Sequence, residues 1–303
     1  MQTYPDCIPC FLRQALDAAR AVTSDATIHE HVLRETLRMA SEMPFDKPPP
    51  WMGQRIHRLL RRATANDDPY RQAKTWSNDL ALALRPKLQE RVRASADPFA
   101  TSVLVAIAGN IIDLGCRSHV SEEDVLGSID QALREPFDVD ALEELRAATA
   151  SAGSILYLAD NAGEIVLDRV FIEQLPLERI TLAVRGFPVI NDATREDAEA
   201  AGLTELVNVI DNGSDVPGTI LEACSDSFRE AFARADMIIA KGQGNYETLS
   251  GVDERVFFLF KAKCPVVATE IGCVEGQIVM CRAKAGTGAR PTGRQTVTEG
   301  GMD

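Results

Sequence analysis

The chain has 303 residues, 45% of them hydrophobic and 25% charged, with a net charge of −13 and a pI near 4.9. This size and balance suit a soluble globular protein with room for two domains, and the acidity argues against a broad nucleic-acid surface, which needs basic patches. No apolar run is long enough to span a bilayer, the start MQTYPDC lacks a secretory pattern, and seven cysteines suit a reducing compartment better than a disulfide framework.

A cytoplasmic protein with neither a membrane nor a nucleic-acid partner is therefore expected, its oligomeric state left open. Residues 1–150 read as an all-helical domain. Apolar residues recur at three- and four-residue spacing over 8–22, 28–43, 52–65 and 70–95. Pro48-Pro49-Pro50 and Asp67-Asp68-Pro69 punctuate the linkers, and Pro86 is expected to break or kink the fourth helix. Asp97-Pro98 then supplies a cap followed by proline at the first helical position. The segment 101–112 is almost wholly apolar, the pattern of a buried helix. Asn110 and Asp113 interrupt it three residues apart, hence on one face. Either they bond neighbouring backbone or this helix lines a polar cleft.

From Gly153 the pattern changes. Short β-rich runs at Ile155–Leu158, Ile180–Val184, 206–210, 237–240 and 266–269 alternate with helical segments. That alternation predicts an α/β domain over 151–281, a parallel sheet with helices on both faces. Residues 282–303 are rich in Gly, Thr and Arg and poor in apolar residues, the composition of a disordered tail.

The first run leads into Asp160-Asn161, then Ala162-Gly163 for a tight turn, then Glu164 at the start of a helix. In open α/β sheets ligands bind beyond the carboxyl ends of the strands. A carboxylate and a carboxamide there can hold a hard divalent cation; the alternative is that Asp160 only caps the helix. Later runs end on Arg185-Gly186 followed by Asn191-Asp192, on Asp211-Asn212-Gly213, on Lys241 to Asn245, and on Glu270. A parallel sheet brings these ends to one edge. Asp160, Asn161 and Asp192 offer only oxygen, which favours Mg²⁺ or Mn²⁺ over zinc. Lys241, flanked by glycine, can meet an anion, and cation plus lysine around one anion is what phosphoryl chemistry needs.

Competing signatures are weak. DNAGEIV has one glycine where a dinucleotide fingerprint needs three, G-Q-G at 242–244 follows the wrong strand, and neither a P-loop nor a nucleophile elbow occurs. Ala162 stands where an aspartyl-phosphate enzyme would usually carry its second aspartate, so a metal-activated water is the better nucleophile. His29, His31, His57 and His119 read as solvated or core histidines. Cys7-Ile8-Pro9-Cys10 follows no strand, so a structural or adventitious-metal role is preferred to redox catalysis; zinc would need two further ligands such as Cys264 or Cys116.

Together Asp160 to Glu164, Arg185-Gly186-x-Pro188 with Asn191 to Thr194, and Lys241-Gly242-x-Gly244-Asn245-Tyr246-Glu247 resemble the successive signatures of the metal-dependent damage-control phosphatases. This family was formerly domain of unknown function 89, and one member has been described as an acidic-residue methyltransferase. The C-x-x-C and Gly109-Asn110-x-x-Asp113 resemble its C-x-x-C branch. The resemblance implies an all-α domain packed on a Rossmann-like three-layer α/β/α domain with the site between them. It also implies Asp160, Asn161 and Asp192 as metal ligands and Asn110 and Asp113 facing the substrate, with Lys241, Gly244, Asn245 and Lys263 on the phosphorylated ligand; Glu164, at the start of the helix after Asp160, is a further substrate-side candidate. Where one branch carries R-T-x-K, this chain has Phe260 and Lys261 in place of the arginine and threonine, so that branch's sugar-phosphate preference does not transfer. The resemblance further implies Mn²⁺, Co²⁺ or Ni²⁺ as cofactor, beside the Mg²⁺ that the oxygen donors also allow, and a small phosphorylated metabolite as substrate.

The expected function is thus a metal-dependent phosphoric monoester hydrolase, with Asp160, Asn161, Asp192 and Lys241 as catalytic residues and Asp113 or Glu164 as general base. Its rivals are an S-adenosylmethionine-dependent carboxyl methyltransferase, for which the first strand lacks the usual glycine-rich loop, and a non-enzymatic metal- or nucleotide-binding module.

Overall fold

The computed structural model describes residues 1–109 and 121–283. Seven helices come first: α1 (Cys7–Val22), α2 (Ala26–Ser41), α3 (Pro49–Thr64), α4 (Arg71–Ala94), α5 (Pro98–Ala108), α6 (Glu122–Ala132) and α7 (Val139–Ser151). Their starts follow the capping chemistry in the sequence. Asp97 accepts the Ala100 N–H at 3.0 Å ahead of Pro98, and Ser121 and Asp124 form a reciprocal capping box on α6. α5 is buried from Ser102 to Ala108, as its all-round apolarity predicts. α4 runs unbroken through Pro86.

The α/β half follows as β1 (Ile155–Leu158), α8 (Glu164–Ile172), β2 (Ile180–Val184), α9 (Arg195–Ala200), β3 (Asn208–Asp211), α10 (Asp226–Arg234), β4 (Met237–Lys241), α11 (Gln243–Leu249), β5 (Val256–Lys261), α12 (Pro265–Ile271) and β6 (Ile278–Arg282). The sheet order is β3-β2-β1-β4-β5-β6, parallel except for β6, which runs antiparallel to β5. Two expectations are corrected here. Residues 266–269 lie in α12, because Pro265 sits at its first turn behind an extended Cys264 and starts a helix there. The fifth strand is instead VFFLFK, a continuous apolar run buried on both faces. Glu270 accordingly lies on α12 and ends no strand. β6 takes in Arg282, opposite Phe257; apart from Arg282 and Ala283, the expected tail lies outside the described residues.

Strand alternation divides the core. Ile155, Tyr157, Leu182 and Ile239 pack on one face with α8 and residues of α4 to α7, while Leu156, Leu158, Ile238 and Phe258 pack on the other with α10 and α12. α1, α2 and α3 enclose a third cluster.

His57 on α3 is 2% exposed, edge-on to Tyr70 at 5.7 Å, and neither ring nitrogen has a hydrogen-bond partner among the described residues. Burial, with Arg61 adding to it, depresses its pKa from 6.5 to about 3. The unfolded chain therefore binds the proton more tightly, so stability is full above pH 6.5 and falls as the pH drops below it. His57 alone contributes up to about 1.4 kcal/mol per pH unit over that window. A His57→Phe variant should show a flatter acid limb in urea midpoints measured from pH 7 to 4; identical limbs would contradict this.

Candidate active site

The carboxyl edge of the sheet holds a topological switch point. The crossovers after β1 run outward to β2 and β3, whereas β4 and β5 lie on the other side of β1. A crevice between β1 and β4 results, where such sheets bind ligands. Asp160 and Asn161 leave β1 on one side of it, and Gly242 leaves β4 on the other. A Cβ on Gly242 would overlap the Asp160 carboxylate, and its φ of +80° is one that L-residues rarely adopt. Gly242→Ala is therefore expected to cost about 1–3 kcal/mol of stability and to displace Asp160, read as a lower urea midpoint together with lost turnover.

The turn after β2 is laced to the turn after β1. Asn161 and Asp192 form an isolated antiparallel bridge. The Ala162 N–H donates to the Asn191 carbonyl at 2.8 Å, and the Ala193 N–H to the Asp160 carbonyl at 2.8 Å. Asp160, Asn161 and Asp192 thus meet although 32 positions separate the aspartates. All three side chains are buried. Asn161 Nδ2 donates to Asp160 Oδ2 at 2.8 Å and to Glu164 Oε2 at 3.3 Å. Both bonds use the amide nitrogen, so the carbonyl oxygen is the atom offered to a cation. Arg185 Nε donates to Asp192 Oδ2 at 2.6 Å.

Burial, then the nearby Glu164 and Asp192 carboxylates, push the Asp160 carboxyl well above the usual range, against the opposing pull of Arg185 and Lys263. An accumulation of carboxylates around one buried Asp is what a divalent cation relieves. The donor set is two carboxylates and an amide, all oxygen, which fits a hard or borderline cation. Among the described residues no group of three or more His, Cys, Asp or Glu side chains is arranged to hold a metal.

Lys241 differs from its expected place. Its side chain is fully buried and turned away from the edge, with Nζ donating to Glu164 Oε1 at 2.7 Å, Asp168 Oδ1 at 2.6 Å and the Ala106 carbonyl at 2.9 Å. Burial opposes its charge, but Asp168 and Glu164 outweigh it and hold the ammonium charged. Burial raises Asp168 to about 6 even with Lys241 against it, and Tyr157 Oη donates to the same oxygen at 2.8 Å. Three acceptors leave Lys241 committed to the interior, so a phosphate contact from this residue does not fit.

The rim is formed differently. Lys263, just beyond β5, is exposed and close enough to Asp160 to favour its charged form. Its N–H donates to Gln243 Oε1 at 2.9 Å, which ties the β5 turn to α11. Asn245 Nδ2 donates to the Lys241 carbonyl at 2.8 Å, and its Oδ1 accepts from Thr219 Oγ1 at 2.8 Å and Arg185 at 3.4 Å. Asn245 therefore braces Arg185 behind Asp192. Gly244 abuts the Pro217 carbonyl, where a Cβ would come within 2.6 Å. Asn110 and Asp113 lie outside the described residues. Gly109 ends α5 so close to Leu167 and Glu164 that an added Cβ would meet them at 3.2–3.4 Å.

Sequence reading missed Asp168, Asn78 and Lys74. Asn78 Oδ1 on α4 accepts the Gly163 N–H at 2.7 Å, while its amide and Lys74 hold Asp197 at 2.9 and 2.8 Å. Asp168 had an available cue, four residues beyond Glu164 within an apolar helix. Asn78 and Lys74 had none, since their partners are 85 and 123 positions away.

Cys7 begins α1, near Glu247 and Cys264, and burial pushes its thiol up to about 11, which does not suit a redox nucleophile. Every cysteine among the described residues is a free thiol. Cys116 lies outside them. No helix of the described residues is long and apolar enough to cross a membrane.

Residues 3–279 match the family described as the Damage-control phosphatase ARMT1-like domain. The chain is similar to a damage-control phosphatase of Archaeoglobus fulgidus, 35% identical over 92% of this chain and 98% of that one. It is also similar to a damage-control phosphatase of Pyrococcus horikoshii, 35% identical over 94% and 99%. An uncharacterized protein of Methanocaldococcus jannaschii is 36% identical over 92% and 94%. The crystal structure of a DUF89 family protein from P. horikoshii aligns over 94% of this chain and 100% of its own, with a TM-score of 0.86 and 34% identity. Match and coverage together place nearly the whole chain in one family, and it belongs to the damage-control phosphatases of the ARMT1-like, DUF89 type.

Proposed function

We propose that the chain is a metal-dependent phosphoric monoester hydrolase acting on small phosphorylated metabolites. The observation that carries this is the meeting of Asp160, Asn161 and Asp192 at the switch point, with Glu164 beside them. Asp160 and Asp192 would hold the ion through carboxylate oxygens and Asn161 through its carbonyl oxygen. Bound there, Mn²⁺, Co²⁺, Ni²⁺ or Mg²⁺ would neutralise phosphoryl charge and lower the pKa of an attacking water. Lys263 at the rim would supply a cation for phosphate oxygens, beside Gly244 and Asn245 in the first turn of α11. Arg185 fixes Asp192, and Lys241 positions Glu164, which in turn fixes the Asn161 amide.

The test is hydrolysis of p-nitrophenyl phosphate by chelator-treated protein, before and after addition of each of the four metals. Turnover restored by metal supports the reading. Turnover indifferent to chelation overturns the metal role, and S-adenosylmethionine binding without hydrolysis would favour a methyltransferase.

A further inference from the structure

α3 ends in a run of arginines that the candidate active site does not use. Arg58 and Arg61 reach across to Asp215, in the loop after β3. Arg58 Nε and a terminal nitrogen donate at 2.8 and 2.6 Å, Arg61 at 2.6 Å, and Gln54 Nε2 at 2.6 Å. Asp215 is thereby saturated. One bidentate arginine satisfies one carboxylate, yet here two are drawn in and the Arg58 side chain remains 49% exposed.

The arginines border a cleft of about 660 Å³, walled also by Gln54, Phe187, Pro188 and Asp215. A hollow of about 390 Å³ shares Arg58 and Arg61 and adds the exposed Arg62. These volumes are in the range of small-ligand pockets. In the larger cleft Arg58 and Arg61 balance Asp67 and Asp215, and the positive excess lies in the adjoining hollow, where Arg62 joins them against Asp67 alone, in a chain of net charge −13. Phe187 stands on its wall 58% exposed, in a protein that buries Phe171, Phe228, Phe258 and Phe260 almost completely. Arg61 is held by Asp215 and, through its other terminal nitrogen, by the Pro188 carbonyl, so Arg58, which keeps one terminal nitrogen, and Arg62 are left to meet phosphoryl oxygens, while an exposed ring offers a stacking face for another ring.

The geometry points to a second ligand site in this recess, taking a nucleoside phosphate with its phosphoryl oxygens on Arg58 and Arg62 and its base against Phe187. None of Asp160, Asn161, Asp192 and Lys263 lines the recess, so it stands independently of the hydrolase reading.

Calorimetric titration of the full chain in EDTA with ADP, and separately with pyrophosphate, tests the site without metal-supported binding elsewhere. Both probes are expected to bind. Arg62→Glu, at an exposed position that leaves the Asp215 pair intact, should weaken both by at least about 10-fold. Phe187→Ala should weaken ADP by about 10-fold while pyrophosphate changes less than about twofold, since only ADP carries a base to stack. Asp160→Asn should change neither. Failure of both probes to bind, unaltered binding by Arg62→Glu, or loss of binding in Asp160→Asn would each overturn the site. Equal effects of Phe187→Ala on the two probes would overturn the base contact.

Discussion

Asp160→Asn is expected to lower metal-supported hydrolysis of an aryl phosphate by at least about 100-fold, the scale of losing a few kcal/mol of transition-state stabilisation. The same variant should be as stable as the parent without metal, or more so. The buried carboxylate sits among Glu164 and Asp192, and an amide removes the crowded charge while its oxygen can still accept from Asn161. The backbone bond from Ala193 to the Asp160 carbonyl is untouched. Turnover and urea midpoints in EDTA, measured on the same preparation, read the two effects. A large loss of stability accompanying the loss of activity would mean that Asp160 is a structural cap.

Lys241→Met should give the opposite pattern, with stability as the primary casualty. Removing the ammonium leaves Glu164 and Asp168 facing each other in a dry interior, and breaking a buried pair in this way costs about 3–5 kcal/mol. Adding Asp168→Asn should recover part of that loss, because an amide carries no charge and can still accept from Tyr157. Urea midpoints of the single and double variants decide the matter. If Lys241 instead met substrate phosphate, stability would change by less than about 1 kcal/mol and KM would rise.

The sheet's direction and its polar edge were legible in the sequence because each central strand is a short apolar run followed at once by polar residues. Val-Val-Ala-Thr was misread as a strand because β-branched composition is a weak cue. Pro265 and the extended residue before it set that segment on a helical path, while VFFLFK carried the stronger signal of a strand covered on both faces. The meeting of Asp160 with Asp192 followed from topology alone. The inward turn of Lys241 did not. A lysine after a strand faces the crevice or the core according to what waits beneath it, and here Asp168 and the Ala106 carbonyl wait there.

That inward lysine bears on how the chain holds together. Its three acceptors come from α8 and from α5, and α8 lies against both α4 and α5 while backing the sheet. Cutting before residue 151 would bare the side of α8 that packs on α4 and α5 and deprive a buried ammonium of an acceptor at a single stroke. The helical half therefore serves as the outer wall of α8 and supplies one of the three acceptors that keep the lysine charged.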